Sequence, residues 1–229
     1  MDFATFVLAG ATADLGDEPA AREYADALEF RMDLAPDPCE ALRAYDGTLD
    51  LLATNRVQGE GGDAAPGPER IEALALAAEH PRVGAIDVEL ETVDRGGADD
   101  LFAIADEGDT AVVVSVHDFD GTPDEERMVD LLGRASEHGD VGKLAVSATD
   151  PTDALSLLSA TATATESGHT VATMAMGEAG RHTRAVAPIY GSRIGYAPVR
   201  ADAATAPGQF DLATPADLLE KLGARADPP

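Results

Sequence analysis

Short apolar runs alternate with longer helical stretches along this chain, and the alternation occurs eight times. The runs lie near residues 5–8, 27–33, 51–55, 83–89, 111–117, 141–147, 170–176 and 193–197, each bounded by polar or turn-forming residues. Continuous apolar runs, in place of strict alternation, are what strands covered on both faces require. Between them, residues 20–25, 68–79, 123–138 and 151–165 carry the Ala/Leu/Glu composition and spacing of helices. Three helix starts are marked by a capping residue followed by proline: Thr122-Pro123, Asp150-Pro151 and Thr214-Pro215. Proline at the first helical position loses no hydrogen bond, and the oxygen before it accepts from a free backbone N–H. Eight strand–helix units without a long linker predict an α/β fold, a single-domain (β/α)8 TIM barrel spanning 1–229. An open doubly wound sheet is the competitor, but it usually carries a glycine-rich phosphate loop after its first strand. Here Ala9-Gly10-Ala11-Thr12-Ala13 supplies one glycine, and Gly59-Glu60-Gly61-Gly62 has the wrong pattern.

A barrel gathers the carboxyl ends of its strands at one mouth, so polar residues there are candidates for chemistry. The second run reads Glu29-Phe30-Arg31-Met32-Asp33, and its alternation sends the three charges to one face. Inside a barrel they must satisfy one another or a polar ligand. The third run ends at Asn55-Arg56, with Glu60 following in a glycine-rich loop able to bend over the mouth. The fifth ends in Val114-Ser115-Val116-His117-Asp118, an apolar run terminating in histidine, whereas His80, His138, His169 and His182 lie in helix-end or loop contexts. The sixth, Val141-Gly142-Lys143-Leu144-Ala145-Val146-Ser147, has a lysine set in apolar surroundings, where desolvation disfavours the cation and favours a nucleophilic neutral amine. Only Lys143 and Lys221 occur in the chain, against fourteen arginines, and Lys221 falls on a C-terminal amphipathic helix that holds it at the surface. The seventh run gives Met174 and Met176, then Arg181 and Arg184 one turn apart. Arg184 can grip a carboxylate bidentately. After the eighth, Thr205-Ala206-Pro207-Gly208-Gln209 presents hydroxyl and amide groups in a turn.

Charge narrows the classes further. Forty-three acidic residues against sixteen basic ones give a formal charge of −27, spread along the chain. Nucleic acid is therefore a poor partner. Such self-repulsion is relieved in concentrated salt, so a salt-rich cytoplasm is the expected setting. Cys39 is the sole cysteine and has no metal-ligand spacing around it, and no apolar run approaches a membrane span. Neither a metal nor another cofactor is called for.

Taken in order, these residues resemble the type I 3-dehydroquinate dehydratases. The resemblance rests on Glu29-Phe30-Arg31, Arg56 with Glu60-Gly61-Gly62, Val114 through Phe119, Lys143, Thr173 through Arg184, Gly191-Ser192 and Thr205 through Gln209. It covers nearly the whole chain. It implies a barrel that dehydrates 3-dehydroquinate to 3-dehydroshikimate through an imine, in aromatic amino-acid biosynthesis. By the same resemblance Lys143 is the Schiff-base lysine, His117 the general acid/base and Glu60 its acidic partner. Glu29, Arg31 and Arg56 then hold ring hydroxyls, Arg184, Thr205 and Gln209 surround the carboxylate and a neighbouring hydroxyl, and Met176 packs beside the ring. A homodimer is implied in the same way. The chain departs from the family in having Thr205 where a serine is usual, an apolar residue near Val7 where strand one often shows a serine, and no hairpin before the first strand. A Schiff-base aldolase of the same fold is the alternative, but Glu178 after the seventh run opposes a phosphate. A non-catalytic, cation-binding barrel leaves the convergence of Lys143, His117 and Glu60 unexplained.

Overall fold

The computed structural model describes residues 1–200 and 209–224. Eight parallel strands form a barrel: β1 (Val7–Thr12), β2 (Ala27–Arg31), β3 (Asp50–Thr54), β4 (Val83–Glu89), β5 (Ala111–Asp118), β6 (Val141–Ser147), β7 (Val171–Met176) and β8 (Ile194–Pro198). Each is hydrogen-bonded to its sequence neighbour from β1 to β7, and β8 returns to pair with β1. Closure between β7 and β8 is made just ahead of β8, where Val171 and Ser192 form a parallel bridge and the Arg193 N–H donates to the Val171 carbonyl at 2.7 Å. Among the described residues the helices are α1 (Glu18–Ala21), α2 (Pro38–Ala44), α3 (Pro68–Ala78), α4 (Leu90–Asp94), α5 (Asp99–Glu107), α6 (Glu125–His138), α7 (Pro151–Glu166), α8 (Thr183–Val186) and α9 (Ala213–Lys221). None is long and apolar enough to cross a membrane.

Strand alternation divides the core in two. Outward residues such as Leu28, Ile86, Val114, Leu144 and Val146 join Leu74, Met128, Leu132 and Leu157 from the helices in one apolar layer. Inward residues Val7, Ala27, Leu52, Ala85, Val113, Val141, Ala172 and Ile194, with Phe3, fill the barrel's amino-terminal half. Moving along the same inward rows toward the carboxyl ends, the side chains become Glu29, Arg31, Thr54, Asp87, Glu89, Ser115 and Lys143, all buried. The lower half therefore supplies the hydrophobic stability, and the upper half is free to be polar. Removing one buried leucine from the outer layer, Leu132 or Leu144 for example, costs about 2–5 kcal/mol through lost transfer energy and the cavity left behind.

The boundaries differ from the sequence pattern at three places. β1 runs to Thr12, four residues past the expected end, because Ala9-Gly10-Ala11 is clamped between β2 and β8. A Cβ on Gly10 would stand 3.0 Å from Val199 and 3.3 Å from Leu28 and Leu212. Close packing there outweighs the poor strand propensity of Ala and Gly. The inward residues of β1 are apolar. Helix α6 is capped by Asp124, whose carboxylate accepts from the Arg127 N–H at 2.9 Å, and not by Thr122, whose hydroxyl donates to the Ser147 carbonyl at 2.8 Å. Helix α9 starts at Ala213, with Asp211 accepting from Thr214 at 2.9 Å. Asp150 caps α7 as expected and completes a capping box with Asp153.

Candidate active site

The polar upper half of the barrel opens into a pocket at the mouth. Glu29, Arg31, Arg56, Glu60, His117, Lys143, Met176, Arg184 and Gln209 all line it, with Met174 and Tyr196. Thr205 lies outside the described residues. The remaining histidines and Lys221 are elsewhere, the latter exposed and bonded to Asp217 at 2.6 Å. Arg181, one turn before Arg184, pairs with Glu178 at 3.1 Å and lies over the ring of Phe210.

Lys143 is buried and its Nζ donates to Asp87 Oδ2 at 2.9 Å, while the Tyr196 ring lies 4.2 Å away on another side. The sequence marks only apolar surroundings for this lysine; the structure adds a carboxylate in direct contact. Asp87 also accepts from Arg56 Nη2 at 2.7 Å and from Ser115 Oγ at 2.6 Å. Burial alone would raise its carboxyl, but Arg56, Lys143 and the Ser115 hydroxyl hold it well below the usual carboxylate range. Arg56 spends its other nitrogen on Glu89, at 3.1 Å, and on Ser115, at 2.6 Å. Desolvation weakens its charge, yet Asp87, Glu89 and Glu60 together raise its pKa. Arg56 is thus the tie of an internal ion network, which Arg70 extends by bonding Glu89 at 2.7 Å. Asp87, Glu89 and Ser115 were missed in the sequence although they share the i, i+2 spacing that marked Glu29 and Arg31.

His117 stands two residues nearer the mouth than Ser115, which is in register with Lys143 on the adjoining strand. Its Nδ1 lies 2.9 Å from Glu60 Oε2, and the same oxygen accepts the His117 backbone N–H at 3.0 Å. With Nδ1 donating to this acceptor, Nε2 is left with its lone pair free. Glu60 reaches His117 because the chain turns sharply after it. Gly61 adopts φ 78°, with the Phe119 ring 2.4 Å from where a Cβ would stand, and a Cβ on Gly62 would fall 2.0 Å from the Arg56 carbonyl oxygen. Burial raises the Glu60 carboxyl to about 7, against the pull of Arg56. Burial, with Arg56 and Lys143 nearby, pushes the His117 imidazole well below its ordinary value and keeps it neutral. A neutral imidazole oriented by a carboxylate is suited to proton transfer.

The remaining cations differ in their partners. Arg31 bonds Asp33 through Nε at 2.9 Å and Nη2 at 2.6 Å, and Glu29 accepts from Thr54 at 3.1 Å. Arg184, buried on α8, has no carboxylate within ion-pair distance among the described residues. Its Nη1 reaches only the Tyr196 carbonyl at 3.4 Å, and its Nε has no partner. Desolvation lowers its pKa to about 10, opposed by the charge of Glu29. Such a guanidinium is arranged to receive an anion. Among the described residues no group of three or more His, Cys, Asp or Glu could hold a metal ion.

The sequence matches the family model for type I 3-dehydroquinase over residues 4–225. The chain belongs to the type I 3-dehydroquinase family. It is 54% identical to the 3-dehydroquinate dehydratase of Haloarcula marismortui, over 97% of this chain and 98% of that protein. With the Halobacterium salinarum enzyme of the same name it shares 53%, over 97% and 100% of the two chains. Among solved structures, 3-dehydroquinate dehydratase from Geobacillus kaustophilus superposes with a TM-score of 0.84 at 28% identity, covering 96% of this chain and 92% of that one. The type I enzyme of Clostridium difficile, solved with covalently modified comenic acid, also gives 0.84, at 26% identity over 95% and 92%. As a member of the family this chain is a 3-dehydroquinate dehydratase, a hydro-lyase.

Proposed function

We propose that this chain dehydrates 3-dehydroquinate through an imine on Lys143, with His117 moving the protons. One observation carries the reading: a buried lysine and a carboxylate-oriented, neutral histidine face the same pocket, beside an arginine that has no counter-ion among the described residues. The substrate is a polyhydroxylated ring bearing a ketone and a carboxylate. Arg184 takes the carboxylate, with Gln209 beside it, and Glu29, Arg31 and Arg56 face the ring hydroxyls. Met174 and Met176 give the ring an apolar wall, for which a flexible thioether is suited.

Lys143 passes a proton to His117 Nε2 and its amine attacks the ketone carbon to give a carbinolamine; His117 returns the proton to the carbinolamine hydroxyl, which leaves as water, and a protonated imine remains. That C=N⁺ is an electron sink for the carbon next to it. His117 Nε2 removes a proton from this adjacent carbon, and the electron pair passes into the imine to form an enamine. The electrons return as the β-hydroxyl departs, taking the proton from His117 and leaving as water. Hydrolysis of the conjugated imine then restores the lysine and releases 3-dehydroshikimate. Positioned proton transfer of this kind contributes about 10²–10⁴-fold. Glu60 fixes the imidazole and balances its charge while it holds the proton.

Borohydride reduction in the presence of substrate or product tests the assignment. The expected result is one ligand mass attached irreversibly to the Lys143 peptide. Lys143→Ala should abolish the adduct, and His117→Ala should be nearly inactive yet still trappable, since the imine can form, at a lower rate, without its base. A label on Lys221, or trapping that survives loss of Lys143, would refute it.

A further inference from the structure

Tyr196 sits on β8 with its ring 4.2 Å from the Lys143 ammonium, and its side chain forms part of the pocket wall. It is 6% exposed, and among the described residues its hydroxyl is buried without any hydrogen-bond partner. That arrangement is expensive, because an unsatisfied buried hydroxyl forfeits its water and gains nothing in exchange. Phenylalanine would preserve the ring's packing and its cation–π contact without this penalty. The other polar groups at the same depth are occupied: Lys143 by Asp87, Ser115 by Asp87 and Arg56, and Glu29 by Thr54. Among the described residues none supplies the phenol with a partner.

We infer that the Tyr196 hydroxyl donates a hydrogen bond to the oxygen of the substrate carbon that Lys143 attacks, first as ketone and then as carbinolamine. The inference rests on the imine reading above. When Nζ bonds to the ketone carbon, the oxygen on that carbon is held two bonds from Nζ and hence beside the ring that Nζ already overlies. The hydroxyl is the only hydrogen-bonding group that ring carries. Burial, together with the charges of Asp87 and Glu29, pushes the phenol well above its ordinary value, so it remains protonated and acts as a donor. A donor aimed at an oxygen that gains charge during attack stabilises that step more than it stabilises the bound ketone. Tyr196 thus serves imine formation, upstream of the proton abstraction assigned to His117.

The test is Tyr196→Phe with three readouts: kcat/KM for 3-dehydroquinate, the time course of the borohydride-trappable adduct, and thermal stability without substrate. Adduct formation and kcat/KM should both fall roughly 5- to 150-fold, the loss expected when one buried oxygen goes unpaired. At long times the same ligand mass should still accumulate on Lys143. Stability without substrate should hold or rise, because an unsatisfied group has been removed. Adduct formation at the wild-type rate would overturn the inference, as would a melting temperature that falls in step with activity. Failure of the underlying reading looks different: the wild-type enzyme would then form no adduct at all, whereas an unimpaired Tyr196→Phe beside a normally trapping wild type removes only the tyrosine.

Discussion

Asp87 offers a sharp test of the ion network, because it accepts from two buried cations at once. Its oxygens take Arg56 at 2.7 Å, Ser115 at 2.6 Å and Lys143 at 2.9 Å, and its side chain is fully enclosed. Asp87→Asn keeps the size but removes the charge and turns one acceptor into a donor facing cations. Arg56 retains Glu89 as a counter-ion, whereas Lys143 has no second carboxylate partner among the described residues. Breaking a buried pair from one side costs about 3–5 kcal/mol. For a chain of this size that corresponds to a fall of roughly 6–20 °C in melting temperature. Urea unfolding at fixed high salt is the assay, since the pair is shielded from solvent and its loss should not be masked by screening. The counter-experiment is Lys143→Met, which leaves Asp87 still held by Arg56 and Ser115 and should cost less. Combined with Asp87→Asn it should recover part of the loss, giving a coupling energy of about 0.5–3 kcal/mol. If Asp87→Asn unfolds within 1 kcal/mol of wild type, or the double variant shows no coupling, the network does not organise the barrel interior as described.

Arg184→Ala should raise KM strongly without altering the circular dichroism spectrum, at a cost of about 2–5 kcal/mol in kcat/KM; an unchanged KM removes Arg184 from the site. The acid limb of kcat/KM should lie near pH 7, where the Glu60 carboxyl titrates, and Glu60→Gln should displace that limb while lowering kcat. The pH–rate profiles of the two proteins decide this. Glu18, bonded by Arg22, partly desolvated and accepting from Thr48 and Leu49, has its carboxyl lowered to about 2. A lowered acid contributes stability above its unfolded value of 4.5 and loses it as pH falls toward 2, so Glu18→Gln should destabilise the protein at pH 7 and progressively less in acid. Thermal stability should climb from low to molar salt as the −27 formal charge is screened, and a flat or falling melting curve would contradict this.

Much of the barrel was legible because strand and helix periods alternate cleanly, and because charges at spacing two inside apolar strands demand a shared interior. Glu29 and Arg31 declared themselves in that way, and Lys143 did so as one of two lysines, set in an apolar run. Asp87 and Glu89 obey the same rule but sit in a run whose other residues fully account for a strand, so nothing marked their carboxylates as partners of Arg56 and Lys143. That pairing depends on the register between β4, β5 and β6, which no local pattern encodes. Tyr196 was hidden for a different reason. An aromatic residue in an apolar strand reads as core, and what distinguishes it is that its hydroxyl has no partner among the described residues. The longer β1 escaped notice because Ala and Gly have no strand signal of their own and are held there by neighbours distant in sequence.

The distribution of charge ties the surface to the site. This chain has forty-three acidic residues for sixteen basic ones, so supplying a carboxylate to any buried cation should be easy. Inside the barrel it has been done for Arg31 by Asp33, for Arg56 by Asp87 and Glu89, for Arg70 by Glu89 and for Lys143 by Asp87. Arg184 has been left without one in the described structure, at a desolvation cost large enough to lower its pKa to about 10. In a protein so rich in acids, an unmatched buried guanidinium cannot be put down to a shortage of counter-ions. A resident carboxylate would compete with an anionic ligand for the same nitrogens, so the position functions only if the protein withholds its own. Among the described residues the pocket is one negative group short of a balanced interior on the side of Arg184, and under the proposed function the substrate carboxylate supplies it.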